Sequence, residues 1–336
     1  MKIALIHYTA APVIGGVERI IEEHAQLFAS HGHRARILVE RGNLIDELRQ
    51  HDVAIVHNVL TMPFDIGFTE AVWSAAATLP ALRVIAWTHD VAAANPGLAP
   101  VPDILRCAVP RVEYVAISEL RRRQLHEYLG IENARVIPNG ISPARILGLP
   151  KAVADFAESH RLFGGRHVLL HPARLLRRKN VEASIRITQS LGDAVLILTG
   201  APDPHNPASA QYAHMLRELA GPETIFAADY FPVGDAELSA LYRLADALIF
   251  PSYQEGFGLP LLEARIHRLP AVYSDIEPLT ELAVGGFPIA PGESPAAIAE
   301  RLAPWLLAQS ARRKAIADYA WPAIYEGHIA PFLGPG

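Results

Sequence analysis

Ala247-Leu248-Ile249-Phe250-Pro251-Ser252-Tyr253-Gln254-Glu255-Gly256-Phe257-Gly258-Leu259-Pro260-Leu261-Leu262-Glu263-Ala264 runs from a short apolar segment through a glycine turn into an amphipathic stretch. Four consecutive apolar residues, Ala247 to Phe250, are too few for a buried helix and predict a strand covered on both faces. Leu261 to His267 predicts the helix that follows, and Pro260 suits a first helical position because its missing N–H would have no partner there. A strand, a glycine turn and a helix in that order make one unit of a parallel sheet with helices over its faces.

The same alternation extends in both directions. Strands are predicted at His167 to His171, Ala194 to Thr199, Thr224 to Phe226, Ala271 to Tyr273 and Phe287 to Ile289, with helices at Val181 to Leu191, Tyr212 to Ala220 and Asp235 to Ala245. Toward the N-terminus, strands are predicted at Lys2 to His7, Arg34 to Val39, Val53 to His57, Arg83 to Trp87, Tyr114 to Ile117 and Arg135 to Ile137. A helix over Val17 to Ser30 carries Val17, Ile20, Ile21, Ala25 and Phe28 as its apolar stripe and stops at Gly32. Pro143, Gly148 and Pro150 interrupt the pattern and place a linker there. The expected fold is therefore α/β, with two Rossmann-like domains over residues 1–145 and 146–316 and their parallel sheets facing across a cleft. Ligands in such sheets bind at the carboxyl ends of the strands.

Composition narrows the function. The 336 residues are 51% apolar and 19% charged, which suits two well-buried cores and no long disordered tail. With a net charge of −5 and a pI near 6.3, the chain has no global positive field for nucleic acid or an anionic bilayer. Arg83 and Pro80 break the longest apolar window, so at most a peripheral membrane contact is expected. The single Cys107 excludes an internal disulfide and a thiolate zinc site; it is expected to be a small buried apolar residue in a cytoplasmic protein. Arg121-Arg122-Arg123 is expected on a solvated helix face. There is no Asp-x-Asp pair, His-Glu-x-x-His pair, Gly-x-Ser-x-Gly elbow or P-loop, so no metal or other cofactor is expected.

The opening stretch has the chemistry of an anion site. Gly256 and Gly258 let the backbone approach a ligand closely, and the N–H groups of the helix start point outward with the helix dipole behind them, as a diphosphate requires. Glu255 stands before the turn and Glu263 one helical turn inside it, so two carboxylates flank anything held there and accept hydrogen bonds from hydroxyls. His171-Pro172-Ala173-Arg174-Leu175-Leu176-Arg177-Arg178-Lys179-Asn180 is a second strand-to-helix loop that brings cations to the same edge. Only four lysines stand beside twenty-six arginines, which makes Lys179 stand out there.

Glu255, seven residues and Glu263, with Gly-Phe-Gly-Leu-Pro after the first Glu, resembles the donor motif of the family-4 retaining glycosyltransferases of the GT-B fold. The resemblance implies that Glu255 binds the transferred sugar, Gly256, Phe257, Gly258 and Leu259 contact sugar and phosphate through the backbone, and Glu263 binds ribose. Arg174 and Lys179 match the cations that hold the diphosphate, although Ala173 and Asn180 stand where glycines are common. Gly15 and Gly16, in the turn Ala11 to Arg19, match a Gly-Gly that touches donor phosphate. His89, in Trp87-Thr88-His89-Asp90, matches a histidine beside the transferred sugar that polarises it without acting as a general base; Asp90 reads as a cap on the next loop. Ala116 to Glu119, Val136 to Gly140 and Tyr273 to Glu281 extend the likeness, with Ser118 a helix cap and Asn139-Gly140 a tight turn. Residues 317–336, with Trp321, resemble the last helix of that fold, which packs back on the first domain.

By that resemblance the chain moves a hexose, with retention and without metal, from a nucleotide-diphosphate sugar on the second domain to a hydroxyl acceptor on the first. The acceptor is a glycan, a lipid-linked sugar or a small molecule. Asp203 to Pro207 is expected to border the donor. Two alternatives remain open: a nucleotide-sugar epimerase of GT-B architecture, and a non-catalytic GT-B subunit that binds sugar nucleotide.

Overall fold

Twelve strands of two to six residues, nearly all apolar, assemble into two six-stranded parallel sheets in the computed structural model, which describes residues 1–10, 12, 15–39, 42–202 and 207–334. The first sheet contains β1 (Lys2–Ile6), β2 (Arg34–Leu38), β3 (Val53–His57), β4 (Arg83–Thr88), β5 (Val112–Ala116) and β6 (Arg135–Val136), in the order β2-β1-β3-β4-β5-β6. The second contains β7 (His167–His171), β8 (Ala194–Leu198), β9 (Thr224–Phe226), β10 (Ala247–Phe250), β11 (Ala271–Ser274) and β12 (Phe287–Ile289), in the order β12-β11-β10-β7-β8-β9. Every strand of β3, β8 and β10 is buried along its whole length, because helices cover both faces.

Each sheet belongs to its own unit: Met1–Ile141 with Tyr319–Gly336, and Ser142–Asp318. The first boundary lies four residues before the expected 145/146, and the second two residues after 316/317. Local bonds account for both. Ile141 donates its N–H to Tyr319 O at 2.7 Å and accepts from Trp321 N at 3.1 Å, which ties it to the first unit. Arg313 bonds Asp246 at 2.8 Å and the Leu162 carbonyl, which keeps the helix Ala311–Tyr319 on the second.

In the first unit, alternate residues of one strand enter different cores. Ile3 and Leu5 join Ile55, Ile85 and Trp87 under the helix Gly16–Ser30, while Ala4 and Ile6 join Val56, Phe68 and Val72 on the other face. Each fully buried Ile or Leu contributes about 1.5–3 kcal/mol. Trp321, Ile324 and Ile329 of the last segment complete the first of these cores.

That segment also changes the helix stripe. Val17, Ile20 and Ala25 are only half-buried, whereas Glu23 and His24 are buried within it. Glu23 is there to accept the Trp321 indole N–H at 2.6 Å. Gly140 is set by the same indole, since a Cβ on it would strike the Trp321 ring, so close packing and not turn geometry requires glycine.

Other expectations shift. Cys107 is exposed, not buried, and its thiol makes a long bond to the Asp103 carbonyl. The helix expected at Tyr212 to Ala220 spans Pro207–Leu219, and the helices Ile66–Thr78, Lys151–Ser159 and Pro295–Ala308 add to those read from the sequence. Among the described residues, no helix is long and apolar enough to cross a membrane.

Candidate active site

The strand order of the second sheet reverses between β7 and β10, and the loops leaving those two strands diverge over a gap that receives ligands in open parallel sheets. One loop carries Arg174 and Lys179, the other Ser252 and Glu255. They are stitched together: Asn180 donates to the Pro251 carbonyl at 3.0 Å, and Tyr253 N–H donates to the Arg178 carbonyl at 2.8 Å. Asn180 holds the left-handed conformation, with φ of 51°, that glycine would supply most easily and asparagine tolerates.

Within this frame the Lys179 ammonium donates to Glu255 Oε1 at 2.5 Å, and the Ser252 hydroxyl donates to the same oxygen at 2.7 Å. Arg178 lies 3.5 Å from Oε2. The Lys179 and Glu255 side chains are 11% and 5% exposed, so the pair is largely sheltered from solvent. Burial drives the Lys179 ammonium below its ordinary pKa; the attraction of Glu255 opposes this, and the neighbouring Arg178 and Arg174 reinforce it. The ammonium also stands 4.9 Å from the centre of the Phe250 ring.

Gly258 caps the helix Leu259–Ile266 with φ of +104°, and a Cβ there would meet Leu279, so glycine is required twice over. Pro260 occupies the second helical position, one later than expected, because the helix starts at Leu259. Gly256 faces open space, and the Phe257 and Leu259 side chains are exposed. Glu263 accepts the Tyr242 hydroxyl at 2.6 Å, and Tyr242 stacks on His267 with ring centres 5.2 Å apart. Burial and the Glu263 carboxylate raise the Tyr242 pKa, which keeps its hydroxyl a donor.

His89 lies in the first unit and is described there by itself. Three neighbouring parallel strands, β1, β3 and β4, end in or just before His7, His57 and His89, so the sheet register brings these rings to one edge. His57 Nδ1 and His89 Nε2 are hydrogen-bonded at 3.0 Å, and the rings stack with centres 5.3 Å apart. His7 Nδ1 lies 2.8 Å from the His57 carbonyl oxygen. Fully buried His24 fills the space between His57, Trp87 and Trp321. Burial pushes His24 and His89 down to about 3 and His57 well below its ordinary value, so all three are neutral at pH 7.

The backbone of the His89 turn is equally fixed. Asn58 Oδ1 accepts from the N–H groups of His89 and Asp90 at 2.8 and 3.0 Å. Arg121 donates from Nε to the His89 carbonyl at 2.7 Å and from Nη2 to Asp90 at 2.8 Å. Arg121 is thus a structural tie and not part of a solvated face, and Asp90 is its partner and not a loop cap. Ser118 does cap its helix, accepting from Arg121 N–H. Gly15 and Gly16 open the helix Gly16–Ser30; residues 11, 13 and 14 of their turn, and 203–206 of the loop expected at the donor, lie outside the described residues. Among the described residues, no three His, Cys, Asp or Glu side chains are grouped to hold a metal ion.

The profile of the glycosyl transferases group 1 matches residues 153–320, half of the 336-residue chain. The chain belongs to this family. A D-inositol 3-phosphate glycosyltransferase of Corynebacterium glutamicum (strain R) is 32% identical over 151 residues, which are 44% of this chain and 32% of that protein. The chain thus matches about a third of the length of those relatives. The mannosylglucosylglycerate synthase of Thermotoga maritima is 21% identical over 82% of this chain and 81% of its own. Among solved structures, the sucrose-phosphate synthase of Thermosynechococcus elongatus is 18% identical, covers 99% of this chain and 98% of its own, and has a TM-score of 0.41.

This glycosyltransferase-family chain carries, in the matched region, Lys179 and Glu255 in direct contact, Arg174 on the same loop, and Glu263 on the helix that the glycine turn starts. Sequence reasoning assigned no site role to Ser252, Tyr242, His57 or Asn58, and it placed Arg121 on a solvated face. His57 and Asn58 had a signal, since they end a fully buried strand as Trp87-Thr88-His89 ends its neighbour. Tyr242 had none, because only the fold brings it to Glu263.

Proposed function

We propose that the chain transfers a sugar from a nucleotide-diphosphate sugar to a hydroxyl acceptor, with retention at the anomeric carbon and without a catalytic metal. The observation that carries this reading is the Lys179–Glu255 pair at the strand switch of the second sheet, beside the glycine turn that opens the helix Leu259–Ile266. Lys179 and Arg174 hold the diphosphate, and the N–H groups of Gly256 to Leu259 add to them. Glu255 takes sugar hydroxyls, and Glu263, oriented by Tyr242, takes ribose hydroxyls.

In the step itself the bond between the anomeric carbon and the phosphate oxygen breaks, and its electron pair leaves with the diphosphate. The acceptor oxygen bonds to the same face of that carbon, and its proton passes to the departing phosphate. The charge that develops is on the phosphate, where the cations stand. His89, with its pKa near 3, is too weak a base to take a hydroxyl proton, so it orients and polarises the sugar. The names of the relatives, which include inositol-phosphate glycosyltransferases and mannosyltransferases, support a sugar transfer and leave the acceptor to this chain's own residues.

A thermal-shift panel of UDP, GDP, ADP and their hexose conjugates identifies the donor, because a bound donor raises the melting temperature by mass action. Transfer is then measured for Glu255→Ala and Lys179→Ala. Both variants are expected to lose most of the rate; wild-type turnover in both, or an epimerised donor without transfer, would sink the reading.

A further inference from the structure

A cavity of about 250 Å3 opens within the first unit next to the His89 turn, with Asp90, Arg121 and Asn95 as its polar wall and Met62, Val91 and Leu98 among its apolar residues. It is smaller than the ~300–1,000 Å3 of pockets that take drug-sized ligands, so it suits one ring. Arg121 is the cation among its lining residues, and three of its five N–H directions are committed, to His89 O, Gln124 Oε1 at 2.7 Å and Asp90 Oδ1. The Asp90–Arg121 pair balances the charge of the wall. A phosphate placed there would lie beside the Asp90 carboxylate, and the Arg121 cation of the lining is already paired with that carboxylate. Neutral hydroxyls find the opposite: Asp90 is 46% exposed, with an oxygen to accept from them, the Asn95 amide lies beside it, and the apolar rim covers the C–H face of a ring.

We propose that this cavity is the acceptor subsite and that it selects an unphosphorylated sugar or polyol. The assignment rests on the transferase reading above and supplies the acceptor class that it leaves open. The turn is preorganised for the task, since Asn58 and Arg121 clamp both sides of the His89–Asp90 peptide without any ligand contact.

Two measurements separate the assignment from the transferase reading. Binding of methyl α-glucoside, methyl α-mannoside and myo-inositol is followed directly by ligand-observed NMR, which needs no donor. At least one is expected to bind the wild type, to lose tenfold or more in affinity in Asp90→Ala and to be excluded by Ala94→Phe, which fills the cavity. Transfer from the donor found in the thermal-shift panel is then compared for these acceptors and their monophosphates. The wild type is expected to favour the neutral acceptor at least tenfold in kcat/KM, and Asp90→Ala, which releases Arg121, to narrow or reverse that preference. Circular dichroism and the donor-induced thermal shift check that the variants are folded and still bind donor. Neutral ligands that bind equally to wild type and both variants, or a wild-type preference for phosphorylated acceptors, would overturn the acceptor assignment. Sugar binding in the cavity with no transfer from any donor would count against the transferase reading alone.

Discussion

Lys179 and Glu255 illustrate why a buried ion pair is informative about function and poor as a source of stability. Each charge is largely desolvated, and removing one leaves the other poorly compensated. Lys179→Ala is expected to destabilise the second unit by about 3 kcal/mol, since it leaves Glu255 with Ser252 and the more distant Arg178. Lys179→Met with Glu255→Leu is expected to restore most of that loss while remaining inactive. Urea unfolding of the single and double variants checks the non-additivity. His57 makes a different point. It never faces solvent, yet it holds His89 Nε2. His57→Phe is expected to lower kcat by about tenfold or more with donor KM little changed, and His57→Asn, which keeps a bonding group, to recover part of it. The residues of the donor motif were readable because glycine, proline and carboxylates stand at a spacing with one physical use. His57 and Tyr242 were not, because their roles depend on which strands and helices become neighbours.

At the scale of elements, strands were readable almost to the residue, since a parallel strand buried on both faces is a continuous apolar run; β3, β7, β9, β10 and β12 keep their expected limits. β5 begins two residues earlier than expected, at Val112, because polar Glu113 sits in the strand and pairs with Arg83 across it. Helices were harder where polarity has no period. Ile66–Thr78 is apolar on nearly every side, and Lys151–Ser159 hides behind the prolines and glycine that mark the linker. The turn of the donor motif offers an element-level test. Gly258→Ala places a side chain at φ of +104° against Leu279, an expected cost of about 1–3 kcal/mol. Because the strain falls on the helix start, donor affinity is expected to drop with it, measured by titration calorimetry with the nucleotide diphosphate.

The two units differ as wholes in their response to acid. Buried neutral His24, His57 and His89, with His7 also lowered, sit in the first unit, whereas the second has His171, pushed to about 3, and half-buried His267, also lowered. In the unfolded chain each titrates near 6.5, so between about pH 6.5 and 3 the unfolded state binds more protons and stability falls as pH falls. Each strongly shifted histidine contributes up to ~1.4 kcal/mol per pH unit in that window. The first unit is therefore expected to lose stability faster below pH 6.5. Tryptophan fluorescence melts report it directly, since Trp73, Trp87 and Trp321 lie in that unit and Trp305→Phe removes the signal of the other. Equal pH dependence of both units would contradict this account.

The return of residues 319–336 to the first unit makes the second an insertion within it. A ribosome delivers all of Ser142–Asp318 before it delivers Trp321, Ile324 and Ile329, which the Ile3, Leu5 and Trp87 core needs. Domains usually mature in the order of their synthesis. Here the half translated first must wait, with one face of its sheet only partly covered, until the half translated later is complete.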